Sequence, residues 1–383
     1  MLTEKFTYFA GPVIPEKFLT FVENAKEVSI DIEADGLHHY FARVCLIQLN
    51  IADKIYIVDP LENINTAMLF QAIGKKTLIL HGGSYDLHLM REDYSFVPEK
   101  IFDTMIAAQI LGLDKLGLVN LVEKYFKVSL SKGPQKMDWS QRPLLDKMFD
   151  YSANDVKYLP QLKNILTKEL KEKGRMKWME ENCEKLLLSE SFEQHAKDNL
   201  DEENWRIKGS HALDRRTLAY LKELWDWREK EAQGANVPVY KIMKNENLIE
   251  LAVWCATENR PIFSWHLFDK FIKRKIRGEE CEKARIRAKK LAPSKWPEKK
   301  HPKGSKGGGE VNPIFFDKIK LARDRISAEL KMDPAIILTQ KVISKIATLK
   351  EYDPDILVNK FGLCVWQRDL IENDLIKIFA EEE

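Results

Sequence analysis

Val28-Ser29-Ile30-Asp31-Ile32 runs directly into Glu33-Ala34-Asp35-Gly36. A short apolar run that ends on a turn-forming Asp-Gly reads as a buried strand, and this stretch decides the fold. Asp31 and Glu33 stand two apart, and the period of a strand puts both carboxylates on one face. Two like charges at a buried strand end need a cation. A second Asp-x-Glu, Asp201 with Glu203, lies in a polar run instead, where water solvates both groups.

Outward from this strand, Arg43 to Asn50 alternates, with Val44, Leu46 or Ile47, and Leu49 apolar, and Ile55 to Val58 makes a third strand that Asp59-Pro60 ends. Ile64 to Ile73 has helical spacing and leads into a further strand, Thr77 to Leu80; after Tyr85 the signals are mostly helical. Tight links favour antiparallel neighbours among the first three strands, and the helical crossover before Thr77 permits a parallel one, so a mixed sheet with covering helices is expected. From about Pro160 the pattern is helical throughout. Leu213 to Ala232 and Leu248 to Cys255 suggest a small bundle, Pro293 to Gly309 a flexible Pro/Gly/Lys linker, and Phe315 to Leu330, Ile336 to Leu349 and Leu370 to Phe379 a further bundle. The expected organisation is 1–204, an α/β domain with connector helices; 205–292, a first helical domain; 293–310, a basic linker; and 311–383, a second helical domain.

Composition bounds the remainder. The chain has 383 residues, of which 44% are hydrophobic and 31% charged, enough apolar material for several packed cores and against wholesale disorder. The start carries no long apolar run, so no membrane attachment is expected and the cytoplasm is the default compartment. Cys45, Cys183, Cys255, Cys281 and Cys364 form no CxxC pattern, which speaks against a zinc site or a disulfide scaffold. Net charge is only +2, but residues 270–306 hold 15 Lys and Arg against four Asp and Glu, a local +11 that leaves −9 on the rest. Lys273, Arg274, Lys275, Arg277, Arg285 and Arg287 are therefore candidates for nucleic-acid backbone contact.

Two further acidic positions join the first pair. Asp86 follows the strand Thr77 to Leu80 in His81-Gly82-Gly83-Ser84-Tyr85-Asp86, where a helix begins, and Tyr151 with Asp155 is spaced so that phenol and carboxylate share one helix face. Asp31, Glu33, Asp86 and Asp155 would thus come from three elements. Such an all-oxygen set suits two Mg²⁺ or Mn²⁺ ions about 3.5 to 4 Å apart, which serve in-line displacement at a phosphodiester. Tyr151 is a poor base near neutral pH and is given the task of orienting the attacking hydroxide.

These residues resemble the DEDD 3′-to-5′ exonucleases of the tyrosine type, and most closely their ribonuclease D branch. Asp31-Ile32-Glu33-Ala34-Asp35 resembles the first motif, His81 to Asp86 the second and Tyr151 to Asp155 the third. Leu46 to Leu49, Asp103-Thr104, Leu116 to Val122 and Asp138 to Leu144 add to the likeness, while Trp205 to Lys208 and Leu224 to Arg228 resemble the start of a helicase-and-RNase-D C-terminal (HRDC) domain. Gly82 and Gly83 depart from the larger polar residues that many relatives carry in the second motif. The resemblance implies an RNase H-like (DnaQ-like) exonuclease domain followed by two HRDC-like bundles. It also implies stepwise removal of 5′-monophosphates from an RNA 3′ end, in tRNA precursors or other structured RNA with a single-stranded 3′ end. Leu37, His38, Gln135 and Trp139 are candidates for holding the terminal nucleotides, and the bundles for holding the RNA body. A DNA exonuclease and a non-catalytic RNA-binding protein are the alternatives. Oligomeric state is left open.

Overall fold

A computed structural model describes residues 6–131, 133–188, 203–258, 260–272, 275–299 and 311–381. Its sheet has six strands: β1 (Thr7–Phe9), β2 (Glu27–Ala34), β3 (Val44–Ile51), β4 (Lys54–Val58), β5 (Thr77–Leu80) and β6 (Lys100–Asp103), in the order β1-β4-β3-β2-β5-β6. β3 and β4 pair antiparallel across a tight turn, whereas β1–β4, β2–β5 and β5–β6 are parallel. The expected mixed sheet is therefore present, and it places the Asp31–Glu33 strand in the interior of the sheet, between β3 and β5.

All eight residues of β3 are buried, so it does not show the expected alternation of apolar and exposed positions. Helices cover both of its faces, and a strand enclosed in that way has no solvent side to mark with polar residues. Its interior Asn50 is put to use: Nδ2 donates to the carbonyls of Val156 and Lys157, both at 3.2 Å. Two strands escaped the sequence reading. β1 and β6 are three and four residues long, too short for a period to register.

The helices of this part are α1 (Glu16–Asn24), α2 (Ala67–Gly74), α3 (Ser84–Tyr94), α4 (Thr104–Leu111), α5 (Leu118–Phe126), α6 (Asp146–Lys157), α7 (Leu159–Glu172) and α8 (Met176–Leu188). Further on come α9 (Arg215–Ala235), α10 (Asn245–Thr257) and α11 (Lys275–Lys290), then α12 (Pro313–Leu330), α13 (Gln340–Ile346) and α14 (Val365–Ala380). The described chain forms two compact units: 1–33 with 44–192 and 305–383, and 34–43 with 193–304.

Within the first unit, residues 311–381 have their own apolar core around Ile319, Ile343, Ile371 and Leu375. They also pack on the sheet-bearing part of the same unit. The Arg175 guanidinium donates to Ile110 O and to Leu330 O, both at 2.9 Å, and Trp178 stacks on Trp366 with ring centroids 4.8 Å apart. Gly112 permits the approach, since a Cβ there would lie 1.9 Å from Lys331 O.

In the second unit, Leu218, Leu221, Leu224 and Trp227 of α9 meet Leu248, Leu251 and Cys255 of α10 in one core. Asp214 caps α9 by accepting from Thr217 N at 2.9 Å. The stretch 293–299, expected to be flexible, is pinned: Arg215 donates to Trp296 O at 2.9 Å, and Arg206 to Glu298 O at 3.0 Å. Residues 300–310, the rest of the expected linker, lie outside the described residues, as do Lys273 and Arg274. All five cysteines are buried and unpaired with one another. No described helix is long and apolar enough to cross a membrane.

Candidate active site

The three expected motifs come together in the first unit. Asp31 and Glu33 stand on β2, Asp86 in the first turn of α3 and Tyr151 with Asp155 on α6, and all five line one cavity of about 390 Å³. Its wall also includes His81, Gly82, Met105, Gly117, Leu118, Val119, Ser131 and Gln135. A larger cavity, about 590 Å³ between α2 and the Tyr94–Glu99 stretch, offers only Lys75 and Glu99 as charged groups and no chemistry of its own.

Asp31, Glu33 and Asp155 each bring one carboxylate oxygen within 4.8 Å of the others. The electrostatics follow from that crowding. Burial pushes Asp31 up to about 7, and burial together with the Asp31 charge pushes Asp155 up to about 9, against a hydrogen bond from Tyr151 that favours the ionised form. Glu33 and Asp86 are raised as well, first by burial and then by the neighbouring carboxylates. The four carboxylates repel one another. Their donor atoms are all oxygen, and a hard divalent cation is what they fit. The Tyr151 phenol is raised by burial and then by the Asp155, Glu33 and Asp31 charges, so it stays protonated and donates.

How Asp86 comes to face this cluster depends on Asp103, which the sequence reading took only as part of the family likeness and gave no role. Asp103, buried at the end of β6, accepts from Gly82 N and Gly83 N, both at 2.9 Å, and from Met105 N at 2.8 Å and Ile106 N at 3.2 Å. One carboxylate thereby fixes the turn that launches α3 and caps α4. Gly82 has φ +66°, and a Cβ there would meet Met105 Cε at 2.9 Å, which accounts for glycine in place of a larger polar residue. An Asp directly before the apolar run Thr-Met-Ile-Ala-Ala was the available signal, as a helix N-cap. Next to it, the Thr104 hydroxyl donates to Leu80 O and so must accept from His81 Nδ1, each at 2.9 Å. That fixes the ring tautomer, with Nε2 unprotonated.

The nucleotide-contact candidates divide. Gln135 lines the cavity. Trp139 does not: at 1% exposure it is enclosed with Cys45, Leu46, Ile57 and Met148, so it is a core residue and not a substrate contact. Leu37 and His38 belong to the second unit, where the Leu37 carbonyl accepts from Tyr240 OH at 2.7 Å. The basic candidates are also altered by their partners. Arg285 is 6% exposed and held by Glu282 at 2.6 Å, which corrects its expected contact with nucleic acid. Arg277 pairs with Glu231 at 3.0 Å and Arg287 with Glu223 at 2.7 Å; of these three, Arg287 alone is well exposed.

Comparison with known proteins agrees with the motifs. Residues 8–171 match the 3′-5′ exonuclease family, and residues 217–257 match the HRDC domain. The chain is 35% identical over 239 residues to ribonuclease D of Zymomonas mobilis subsp. mobilis, a match that spans 61% of this chain and 60% of that protein. Ribonuclease D of Granulibacter bethesdensis is 25% identical over 355 residues, 92% of this chain and 87% of that one. Among solved structures, a protein from Bifidobacterium adolescentis superposes with TM-score 0.75 at 21% identity, covering 98% of this chain and 99% of that one. Escherichia coli RNase D, described as an exoribonuclease involved in structured RNA processing, superposes with TM-score 0.70 at 22% identity, covering 97% and 99%. The expected likeness to ribonuclease D is borne out: an RNase H-like exonuclease domain with a mixed sheet, followed by a helical HRDC region.

Proposed function

We propose that this ribonuclease D-like chain is a 3′-to-5′ exoribonuclease. It would hydrolyse RNA one nucleotide at a time and release nucleoside 5′-monophosphates, with tRNA precursors or other structured RNA bearing a single-stranded 3′ end as substrates. The observation that carries the reading is the convergence of Asp31, Glu33, Asp86, Asp155 and Tyr151 from three elements on one cavity. Asp31, Glu33 and Asp155 would hold Mg²⁺ or Mn²⁺, with Asp86 completing a second position; bound cations supply charge neutralisation and Lewis acidity at the scissile phosphate. Burial raises the energy of the uncompensated carboxylates, and so favours the ion-loaded state as pH rises. Tyr151, kept protonated, holds Asp155 through its hydroxyl and can orient the attacking oxygen. Gln135, at the cavity wall, is suited to hydrogen-bond the terminal nucleotide. Arg287, at the surface of the helical unit, can contact the RNA backbone.

The test is degradation of a 5′-labelled single-stranded RNA beside its DNA equivalent, with Mg²⁺ or Mn²⁺, with EDTA, and with Asp155→Asn. A ladder that shortens from the 3′ end of RNA, and is abolished by EDTA and by the substitution, is expected. Trimming of DNA alone would assign a DNA exonuclease. Binding of RNA without cleavage would assign a non-catalytic RNA-binding protein.

A further inference from the structure

α5 meets the carboxylate cavity with its first turn. Gly117, its N-cap, and Leu118 and Val119, its first two residues, line the wall they share with Asp31, Glu33, Asp86 and Asp155, and no later residue of α5 does. All of these residues lie in the first compact unit. Three consecutive residues at one end set the helix end-on to the cavity, because a helix lying along a wall would touch it at every third or fourth residue. That end is open. Asn120 N and Leu121 N both donate to Gly117 O, at 2.9 and 3.1 Å, while no described residue accepts from Leu118 N or Val119 N. Gly117 has no side chain with which to cap them.

A second observation, independent of the helix, shows that the cavity lacks a ligand. Glu33 lines it at 9% exposure and makes no hydrogen bond with any described residue. Such carboxylates take cations, and the phosphodiester on which those cations would act is itself an anion. Four ionised carboxylates cancel the charge of two divalent ions, so the phosphate arrives at a site with no positive charge to spare. Among the described residues lining the cavity there is no Lys or Arg to supply it. The N-terminal end of α5 carries about half an elementary positive charge and two unused N–H donors, which is what a phosphate oxygen binds. The cavity, about 390 Å³, is of a size for one nucleotide, so the carboxylates and the helix end address the same group.

We propose that the first turn of α5 is an anion subsite of this cavity, in which Leu118 N and Val119 N donate to a non-bridging oxygen of the scissile phosphate. The proposal rests on the exonuclease reading above and adds to it a protein group that touches the phosphate directly. The released nucleoside 5′-monophosphate keeps this phosphate, so it is a probe of the subsite.

Two substitutions close the helix end in different ways. Leu118→Pro removes one N–H and keeps the helix start, since proline suits the first helical position and Gly117, at φ −64° and ψ 146°, already has the extended backbone that a following proline requires. Leu118→Ala is its control for the lost side chain, which packs near Ile79 and Val156. Gly117→Asn fills the end from within. Its Cβ would lie 3.4 Å from Asn120 Nδ2, in van der Waals contact, and its amide oxygen would accept from Val119 N or Asn120 N as a cap.

The measurement is calorimetric binding of adenosine 5′-monophosphate to the full-length protein loaded with Mn²⁺. Leu118→Pro should bind it roughly tenfold more weakly than Leu118→Ala, and Gly117→Asn roughly tenfold more weakly than the wild type. Affinity for Mn²⁺ alone should hold in both, and kcat/KM on a 5′-labelled RNA should fall by a similar factor. Gly117→Asn gains a cap, so it should melt no lower than the wild type while binding worse, and it decides the matter if Leu118→Pro folds poorly. Nucleotide affinity equal to that of the controls would overturn the proposal, and so would a matching loss of Mn²⁺ affinity, which would assign the helix end to the metal site. If the wild-type chain shortens no RNA and yet binds the nucleotide through this turn, the exonuclease reading fails and the anion subsite stands.

Discussion

Asp31→Asn should make the metal-free protein more stable. Asp31 is half-buried at the cavity wall, and burial pushes its carboxyl from an ordinary 3.8 up to about 7. A rise of about three units, at roughly 1.4 kcal/mol each, corresponds to about 4 kcal/mol of unfavourable charge burial at pH 8. The sign follows from proton binding. The folded carboxyl holds its proton more tightly than the unfolded one, so this stability is fully present below about pH 4 and is lost as pH rises through about 7. Asparagine keeps the shape and cannot ionise. In EDTA, the variant should therefore match the wild type near pH 4, gain on it through the next three pH units, and exceed it by up to about 4 kcal/mol above pH 7. Adding Mn²⁺ at pH 8 should stabilise the wild type far more than the variant, because the ion is what the ionised cluster lacks. Urea denaturation of both proteins, with and without Mn²⁺ across this pH range, measures each quantity. Equal or lower stability of the variant at pH 8 in EDTA, or equal stabilisation of both by Mn²⁺, would refute the argument that Asp31 is strained for want of a cation.

Tyr151→Phe removes the phenol that donates to Asp155 but none of the clustered carboxylates; activity should fall about a hundredfold while Mn²⁺ affinity by calorimetry holds, and a matching loss of affinity would count against an orienting role. Trp139→Ala should cost about 3 to 5 kcal/mol of stability as a core truncation, and Trp139→Phe should leave KM for RNA where it was; a raised KM at full stability would restore it as a nucleotide contact. Arg175→Met strands two carbonyls, Ile110 O and Leu330 O, and should cost about 2 to 4 kcal/mol. Amide exchange should then quicken through residues 311–381 and not in the sheet, and uniform quickening would show that Arg175 supports the whole unit and not this docking alone.

The parts legible in the sequence were those where one residue type contradicts its surroundings. A carboxylate pair inside an apolar strand is such a contradiction, and β2 with Asp31 and Glu33 was read from it. β6 gave no comparable signal, because Lys100-Ile101-Phe102-Asp103 is as good a helix entry as a strand. The basic run misled for another reason. Its charges were counted along the chain, but two of their partners arrive from far away: Glu231 lies 46 residues before Arg277, and Glu223 lies 64 before Arg287, while Glu282, inside the run itself, holds Arg285. Trp139 shows the same limit, since an aromatic ring packs equally well under a nucleobase or under Met148, and only the path of the chain decides.

Asp59 and Asp103 differ from the clustered four carboxylates of the first unit in what answers them. Asp59 is fully buried, and the protein answers it internally: Arg142 Nε at 2.7 Å, Arg142 Nη2 at 2.6 Å and Tyr8 OH at 2.6 Å. Asp103 is answered by four backbone N–H groups. Asp31, Glu33, Asp86 and Asp155 instead repel one another, Tyr151 donates to Asp155, and among the described residues lining their cavity there is no Lys or Arg. A guanidinium placed there would settle the fold as Arg142 settles Asp59, but it would also fill the position that a cation and a phosphate must share. The cluster folds because the surrounding sheet and helices bear its cost, and among the described residues lining the cavity no basic side chain neutralises it. That distinction, and not burial or acidity alone, is the ground on which we propose these four carboxylates as the site of chemistry.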